Sequence, residues 1–144
     1  MIRAKKIHKI SMEITPRMNK NKIVELFVKN NFEIEYVGRG KYKRTFKIKS
    51  NKTYYILKVG NNVKKEFEGY KIVKKKASHS LFKIYWCEDY VCLQKFAVSQ
   101  TDWNDNNLKS LRKKLNKYCS DVRPSNCGYD SRGNLKCFDI GGLK

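Results

Sequence analysis

The stretch from Cys119 to Gly141 places the strongest constraint on what this chain can fold into. Within it, turn-forming residues at Ser131–Asn134 separate two short runs, Cys127–Asp130 and Leu135–Phe138. Ser, Gly, Asn and Asp are the residues that favour tight turns, and the flanking runs are strand-like. The pattern therefore predicts a β-hairpin near the C-terminus.

Three polar residues surround the open end of this predicted hairpin. Asn126 precedes the first arm, Asp139 follows the second, and Asp121 lies in the loop that leads into it. Because a hairpin returns the chain to its starting point, we expect Asn126 and Asp139 to lie side by side. Two carboxylates and an amide offer the hard oxygen ligands that suit Mg²⁺. The alternative interpretation is a polar turn before a two-stranded ribbon.

Length and composition are those of a globular domain with a modest core. The chain has 144 residues, of which 40% are hydrophobic and 12% aromatic. No apolar run reaches the length of a membrane span, and Met1–Ile10 lacks the apolar centre of a signal peptide. Five scattered cysteines without metal-ligand spacing predict reduced thiols. We therefore expect a cytoplasmic protein with no membrane association.

The net charge of +20 is the most pronounced compositional feature, since 33 basic residues outnumber 13 acidic ones. Such a charge attracts polyanions whatever the fold, and it predicts nonspecific binding to nucleic acid. The alternative is a lysine-rich composition that only solvates the surface. No arginine-rich helix or aromatic-basic repeat distinguishes the two interpretations.

The first 31 residues are predicted to form a basic N-terminal arm followed by a helix. Residues 1–14 carry spaced isoleucines among lysines, which we interpret as a strand or an extended arm. Thr15-Pro16 is typical of a helix start, and Asn30-Asn31 of a helix end. We expect this leader to pack against the sheet that follows.

The central part of the chain predicts an α+β fold with a five-stranded antiparallel sheet. Strand-like segments occupy residues 32–38, 41–49, 53–59, 81–87 and 90–97, and helical spacing marks about 63–76. A second helical stripe begins after Asp102 and Asp105 and continues to Tyr118.

In this order, the motifs resemble the catalytic core of protein kinases and related kinase-like phosphotransferases. Residues 121–126 resemble the catalytic loop, and Asp139-Ile140-Gly141 resembles the D-F-G motif. The loop is similar to that of small bacterial and phage kinase-like proteins as well as eukaryotic kinases. The resemblance covers roughly residues 34–142. It implies a protein kinase-like fold with an N-lobe at 32–97 and a minimal C-lobe of one helix and a hairpin at 98–144.

The resemblance also implies a nucleotide site. Gly38-Arg39-Gly40 resembles the glycine-rich loop over the phosphates, with Lys43 where a third glycine is expected and Thr45 where valine usually covers adenine. The segment Lys95-Phe96-Ala97 is implied as part of the hinge, whose backbone meets adenine. ATP is the implied nucleotide.

A lysine and a glutamate complete the implied phosphate-binding set. Lys58 interrupts an apolar strand and resembles the strand lysine that contacts the α- and β-phosphates. The alternative is a lysine on the open face of an edge strand. Glu66 resembles the glutamate of helix αC that pairs with this lysine, and Glu68 is the other candidate.

The implied chemistry is ATP- and Mg²⁺-dependent phosphoryl transfer, by a protein Ser/Thr kinase or an autokinase. Asp121 is implied as the catalytic base, and Asn126 and Asp139 as the Mg²⁺ ligands. Two departures stand against it. Cys119-Ser120 replaces the usual His-Arg, and the chain ends at Leu143-Lys144, just after the D-x-G motif. We expect either a fragment or a natural minimal form.

Two other functional classes stay open. A catalytically weak kinase-like protein would act by binding or inhibiting a protein partner, and a basic nucleic-acid-binding protein would act through its charge. We also expect that a sheet edge left uncovered by the small C-lobe would favour a homodimer.

Overall fold

In the computed structural model, which describes residues 2–39, 43–50, 53–97, 105–119, 122 and 124–138, the chain is an α+β protein. The helices are α1 (Ile2–Ser11), α2 (Lys20–Lys29), α3 (Val63–Ala77) and α4 (Asp105–Leu115). The large sheet comprises β1 (Glu33–Arg39), β2 (Arg44–Ser50), β3 (Thr53–Val59), β4 (Ile84–Glu88) and β5 (Val91–Lys95). A separate hairpin comprises β6 (Cys127–Tyr129) and β7 (Leu135–Cys137).

These elements belong to two compact units. The first unit is formed by Met1–Lys64 and Ile84–Lys95 and contains the whole five-stranded sheet. The second is formed by Lys65–Lys83 and Phe96–Lys144 and contains α4 and the hairpin. None of the helices in the described ranges has the length and apolar character needed to cross a lipid bilayer.

The five-stranded antiparallel sheet confirms the prediction from strand patterning. Its order is β1-β2-β3-β5-β4, so β3 lies at the centre with a neighbour on each side. The strand predicted at 81–87 begins later, at Ile84. Leu81, which precedes this strand, pairs instead with the hairpin, because it forms a parallel bridge with Cys137.

The prediction of a strand or extended arm at residues 1–14 is wrong, because residues 2–11 form helix α1. Ala4, Ile7 and Ile10 recur every three residues, which places them on one face of a helix. All three are buried in the core of the first unit. Burial of this isoleucine face stabilises the helix despite its lysine-rich sequence.

Helix α2 begins later than Thr15-Pro16 predicted. Its N-cap is Asn19, whose side-chain oxygen accepts a hydrogen bond from the Lys22 N–H at 2.9 Å. The predicted end is confirmed. Asn30 is the C-cap, and Asn31 adopts the left-handed conformation with φ of 65°.

Helices α1 and α2 pack on one face of the sheet, as expected for the N-terminal leader. The shared core joins Ile7, Ile10, Ile14, Ile23 and Phe27 to apolar side chains from β2, β3 and β5. The sheet residues in this core are Phe46, Ile48, Tyr55, Leu57, Val59, Val91 and Leu93. The leader therefore covers one face of the sheet and belongs to the first unit.

Removing one side chain from this core tests the structural role of α1. Ile7 is fully buried, so Ile7→Ala is expected to lower the free energy of unfolding by about 3 kcal/mol, from lost burial and the cavity left behind. Urea denaturation followed by circular dichroism measures this change. Met12→Ala, at a position 63% exposed, is the control and should change stability by less than about 0.5 kcal/mol. Equal effects of the two substitutions would contradict the packing of α1.

Candidate nucleotide and metal site

One cross-strand row of the sheet brings together two positions predicted to bind nucleotide. Gly38 on β1 lies opposite Thr45 on β2, which lies opposite Lys58 on β3. The row continues through Cys92 on β5 to Cys87 on β4. We call these five residues the Lys58 row. Since neighbouring strands are about 4.8 Å apart, the backbones of Gly38 and Lys58 lie about 10 Å apart.

Lys58 occupies an unusual environment for a lysine. It is only 2% exposed, and among the residues that the structure describes it is the only charged one that is buried. It lies on the central strand, so the alternative of an edge-strand lysine on an open face is wrong. Removing an ammonium group from water is costly unless polar groups compensate, so burial of this charge indicates a specific role.

Lys58 projects from the sheet face opposite to the N-terminal helices. Its neighbours along β3, Leu57 and Val59, are part of the core formed with α1 and α2. Because successive side chains of a strand point to opposite faces, Lys58 lies on the other face. Helices α1 and α2 therefore do not cover the sheet face that carries the Lys58 row.

The predicted glycine-rich turn lies at the same end of the sheet as Lys58. Gly38 and Arg39 are the last residues of β1, directly after a register shift between Tyr36 and Gly38. Such bulges bend a strand and occur often beside functional sites. Lys43 is half-buried just before β2, whereas Gly40 lies outside the described residues, as does the side chain of Arg39.

The two candidate glutamates of α3 differ in their surroundings. Glu68 is exposed and forms an ion pair with Lys71, one turn along the helix, at 3.0 Å. The charge of Glu68 is therefore already used locally on the helix surface. Glu66 is half-buried in the first turn.

The predicted hinge coincides with a boundary between the units. Lys95 is the last residue of β5 and of the first unit, and Phe96 is the first residue of the next segment of the second unit. Phe96 and Ala97 are both buried. These three residues thus form the connection that the resemblance assigns to adenine.

The predicted C-terminal hairpin is confirmed, with Asn126 at its open end. Cys127 lies opposite Cys137, and the Phe138 N–H donates a hydrogen bond to the Asn126 carbonyl oxygen at 2.9 Å. Strand pairing therefore extends to Asn126 on one side and to Phe138 on the other. The next residue along the chain is Asp139, which lies outside the described residues, as does Asp121.

Aromatic contacts fix the end of the hairpin that carries Asn126. The ring of Phe138 contacts the ring of Phe96, at a centroid distance of 5.0 Å, and that of Phe82, at 6.4 Å. The Phe82 N–H also donates to the Cys137 carbonyl oxygen at 2.9 Å. Phe138 thereby joins the hairpin to the predicted hinge residue Phe96 within the second unit. Aromatic pairs at these separations stabilise the contact beyond simple burial.

Asp130 holds the turn at the other end of the hairpin. Its Oδ1 accepts hydrogen bonds from the N–H groups of Arg132 and Asn134, each at 2.9 Å. Its Oδ2 lies 3.1 Å from the Lys136 ammonium. Burial acts to raise the pKa of the Asp130 carboxyl, but these hydrogen bonds and the lysine charge outweigh it. The pKa therefore lies below its ordinary value of 3.8.

The lowered pKa of Asp130 makes the stability of the hairpin dependent on pH. The folded state binds this proton less tightly than the unfolded state, so the charged carboxylate stabilises the fold above the ordinary pKa of 3.8. This contribution is lost as the pH falls through the lower, folded-state pKa. We expect Asp130→Asn to reduce the free energy of unfolding by about 1 kcal/mol at neutral pH. Denaturation at several pH values should show the difference shrinking below about pH 4; a difference that stays constant in acid would contradict it.

Sequence reasoning missed the structural roles of Asp130 and Phe138. The Asp130 signal is present in the sequence, because Asp-Ser-Arg-Gly-Asn is a favourable turn in which the aspartate bonds to following N–H groups. The Phe138 contacts have no such local signal, since its partners lie 42 and 56 residues away along the chain. Both residues position the hairpin that carries Asn126.

The geometry thus forms two separate groups of candidates. In the first unit, the register joins Gly38 and Lys58 in one row. In the second unit, the hairpin and its aromatic contacts connect Asn126 to the segment of Phe96. No protein-family model matches the sequence, and no match is found among curated proteins.

Proposed function

We propose that this protein is an ATP- and Mg²⁺-dependent phosphotransferase with a protein kinase-like core. A five-stranded antiparallel sheet with one helix between its third and fourth strands is the layout of a kinase N-lobe. A strand lysine, a helix glutamate and a hairpin flanked by polar residues follow in the order that such enzymes use.

The burial of Lys58 on the central strand is the observation that carries the proposal. A lysine that only solvated the surface would be exposed, like Lys49 on the same sheet face and the lysines of α3. Lys58 instead shares a cross-strand row with Gly38, at the end of the sheet where the glycine-containing turn begins. A fixed ammonium near a glycine turn suits the phosphates of a nucleotide.

The remaining groups follow from the order of the motifs under this proposal. Asn126 and Asp139 would hold Mg²⁺, since amide and carboxylate oxygens are the ligands that this cation prefers. The bound metal would neutralise the charge of the phosphates. Asp121 would accept the proton of the attacking hydroxyl, and the backbone of Lys95–Ala97 would meet the adenine ring. Glu66 would orient the Lys58 ammonium.

Calorimetric titration of Mg-ATP tests the proposal. The wild-type protein is expected to bind Mg-ATP more tightly than ATP in EDTA, and Asp139→Asn to weaken the Mg²⁺-dependent binding by at least about tenfold. Glu13→Gln is the control. It removes an exposed carboxylate of the N-terminal leader, which has no role in the proposed site, so it should leave Mg-ATP affinity unchanged.

Three outcomes would overturn the proposal. Absence of binding at millimolar Mg-ATP would favour a protein that binds a protein partner. Equal loss in both variants would show that the effect of Asp139→Asn does not come from the loss of a metal ligand. Binding that ignores Mg²⁺ and falls steeply with salt would indicate a general affinity for polyanions through the net charge of +20.

A further inference from the structure

Two cysteines of the first unit lie directly opposite each other on neighbouring strands. Cys87 of β4 and Cys92 of β5 are register partners in the hairpin that joins these strands. Directly opposed residues of antiparallel strands have Cα atoms about 4.5 or 5.5 Å apart, depending on the type of pair. Both separations fall within the range of about 4.4–6.8 Å found for disulfides. All five cysteines of the chain are present as thiols.

The two thiols differ in their access to solvent. Cys87 is half-buried, whereas Cys92 is only 2% exposed. A reagent in solution can therefore reach Cys87 first, and Cys92 is held beside it on the inner strand. A reactive thiol next to a second thiol that can displace the first product is the arrangement of redox-responsive cysteine pairs.

We propose that Cys87 and Cys92 form a reversible disulfide by exchange with a small disulfide such as oxidised glutathione. The Cys87 thiolate attacks one sulfur of the reagent, its S–S bond breaks, and one glutathione leaves as a thiolate that takes up a proton. Cys92 then loses its proton and attacks the Cys87 sulfur, which releases the second glutathione. The two protein thiols are oxidised to one disulfide, and oxidised glutathione is reduced to two thiols.

A second pair of cysteines in the chain provides an internal control. Cys127 and Cys137 are also register partners. Hydrogen bonds from Phe138 to Asn126 and from Asp130 to Asn134 flank this pair, and bonded and non-bonded pairs alternate along a ladder. Cys127 and Cys137 are therefore a non-hydrogen-bonded pair, the closer of the two types. Their Cα separation of about 4.5 Å also falls within the range found for disulfides, but both side chains are fully buried.

Strand register alone predicts that both cysteine pairs can form a disulfide, whereas solvent exposure predicts that only Cys87 and Cys92 react in the folded protein. If exposure controls the reaction, folded protein should form the Cys87–Cys92 disulfide and keep Cys127 and Cys137 as thiols. Unfolding removes this protection from the buried pair. The inference goes beyond phosphoryl transfer and does not depend on it, since the disulfide is detected directly in the protein.

The experiment is incubation of the folded wild-type protein with oxidised glutathione, followed by alkylation and peptide mass mapping. We expect loss of two of the five thiols, a crosslink between the peptides that contain Cys87 and Cys92, and complete reversal by dithiothreitol. A folded protein that keeps all five thiols would overturn the proposal. So would a Cys127–Cys137 crosslink that forms as fast as the Cys87–Cys92 crosslink.

Single substitutions test the order of attack. Cys92→Ser should accumulate a glutathione adduct on Cys87, because no second thiol displaces it. Cys87→Ser should slow glutathione incorporation by at least about tenfold, because Cys92 is buried. Equal rates of adduct formation in the two variants would contradict the assigned roles. Circular dichroism of each variant verifies its fold, and the wild-type mapping remains decisive if either variant does not fold.

Discussion

Replacement of Lys58 by methionine is expected to lower the rate of phosphoryl transfer from Mg-ATP by at least about 100-fold in protein that remains folded. Methionine keeps an unbranched chain of similar volume, so it fills the space of a side chain that is 2% exposed. It removes the cost of keeping a charge away from water, but it also leaves the polar partners of Lys58 uncompensated, so some loss of stability is expected. The phosphates also lose a fixed positive charge.

The test compares the loss of phosphoryl-transfer activity in Lys58→Met with its change in free energy of unfolding. Single-turnover transfer from radiolabelled ATP measures the first, and urea denaturation the second. Lys49→Met, at an exposed position of neighbouring strand β2, is the matched control and should preserve both. A Lys58→Met protein that remains active would contradict the phosphate-binding role. A protein that loses activity only because it unfolds would indicate that Lys58 serves the fold.

Elements specified by local patterns could be predicted from the sequence. The hairpin of β6 and β7 follows from turn-forming residues between two short runs, and its boundaries agree with the prediction within one residue. The strand at residues 53–59 was predicted from β-branched and aromatic residues and has those bounds. In both cases the information lies within fewer than a dozen neighbouring residues.

Helix α1 is an element whose helical periodicity is difficult to recognise in the sequence, because basic residues surround its apolar positions. The basic residues among the isoleucines of residues 1–14 suggested a strand or an extended arm, but the spacing of Ala4, Ile7 and Ile10 is helical. The helix is stabilised by burial against residues of β2 and β3, which are more than 30 positions away along the chain. The sequence contains the helical periodicity. The apolar sheet surface that stabilises the helix by burying its isoleucines forms only when the unit folds.

Strand register is the part of the candidate site that sequence reasoning did not reach. In the sequence, Gly38 and Lys58 are separate positions that each resemble part of a motif. Their alignment in one row depends on pairing across β2, and a shift of one residue would place Lys58 on the other face of the sheet. The opposition of Cys87 and Cys92 depends on the same kind of pairing, and it was therefore invisible in the spacing of the cysteines.

Asp121→Asn is expected to lower phosphoryl transfer by a factor of about 10²–10⁴ while leaving Mg-ATP affinity unchanged. Asparagine has nearly the same shape as aspartate but cannot accept a proton from the attacking hydroxyl. Under the proposed function, nucleotide binding depends instead on the charge of Lys58 and on the metal ligands, which this substitution leaves in place. Single-turnover transfer and calorimetry on the same protein preparation measure the two quantities.

Comparison of Asp121→Asn with the other variants distinguishes an effect on the chemical step from an effect on binding. Asp139→Asn should weaken Mg²⁺-dependent binding, and Lys58→Met should weaken the contact with the phosphates, whereas Asp121→Asn should act on the chemical step alone. Full activity of Asp121→Asn would contradict a proton-accepting role for the loop before the hairpin. If Asp121→Asn and Asp139→Asn reduced Mg-ATP affinity equally, both carboxylates would act as metal ligands, because only a shared cation makes binding depend on both.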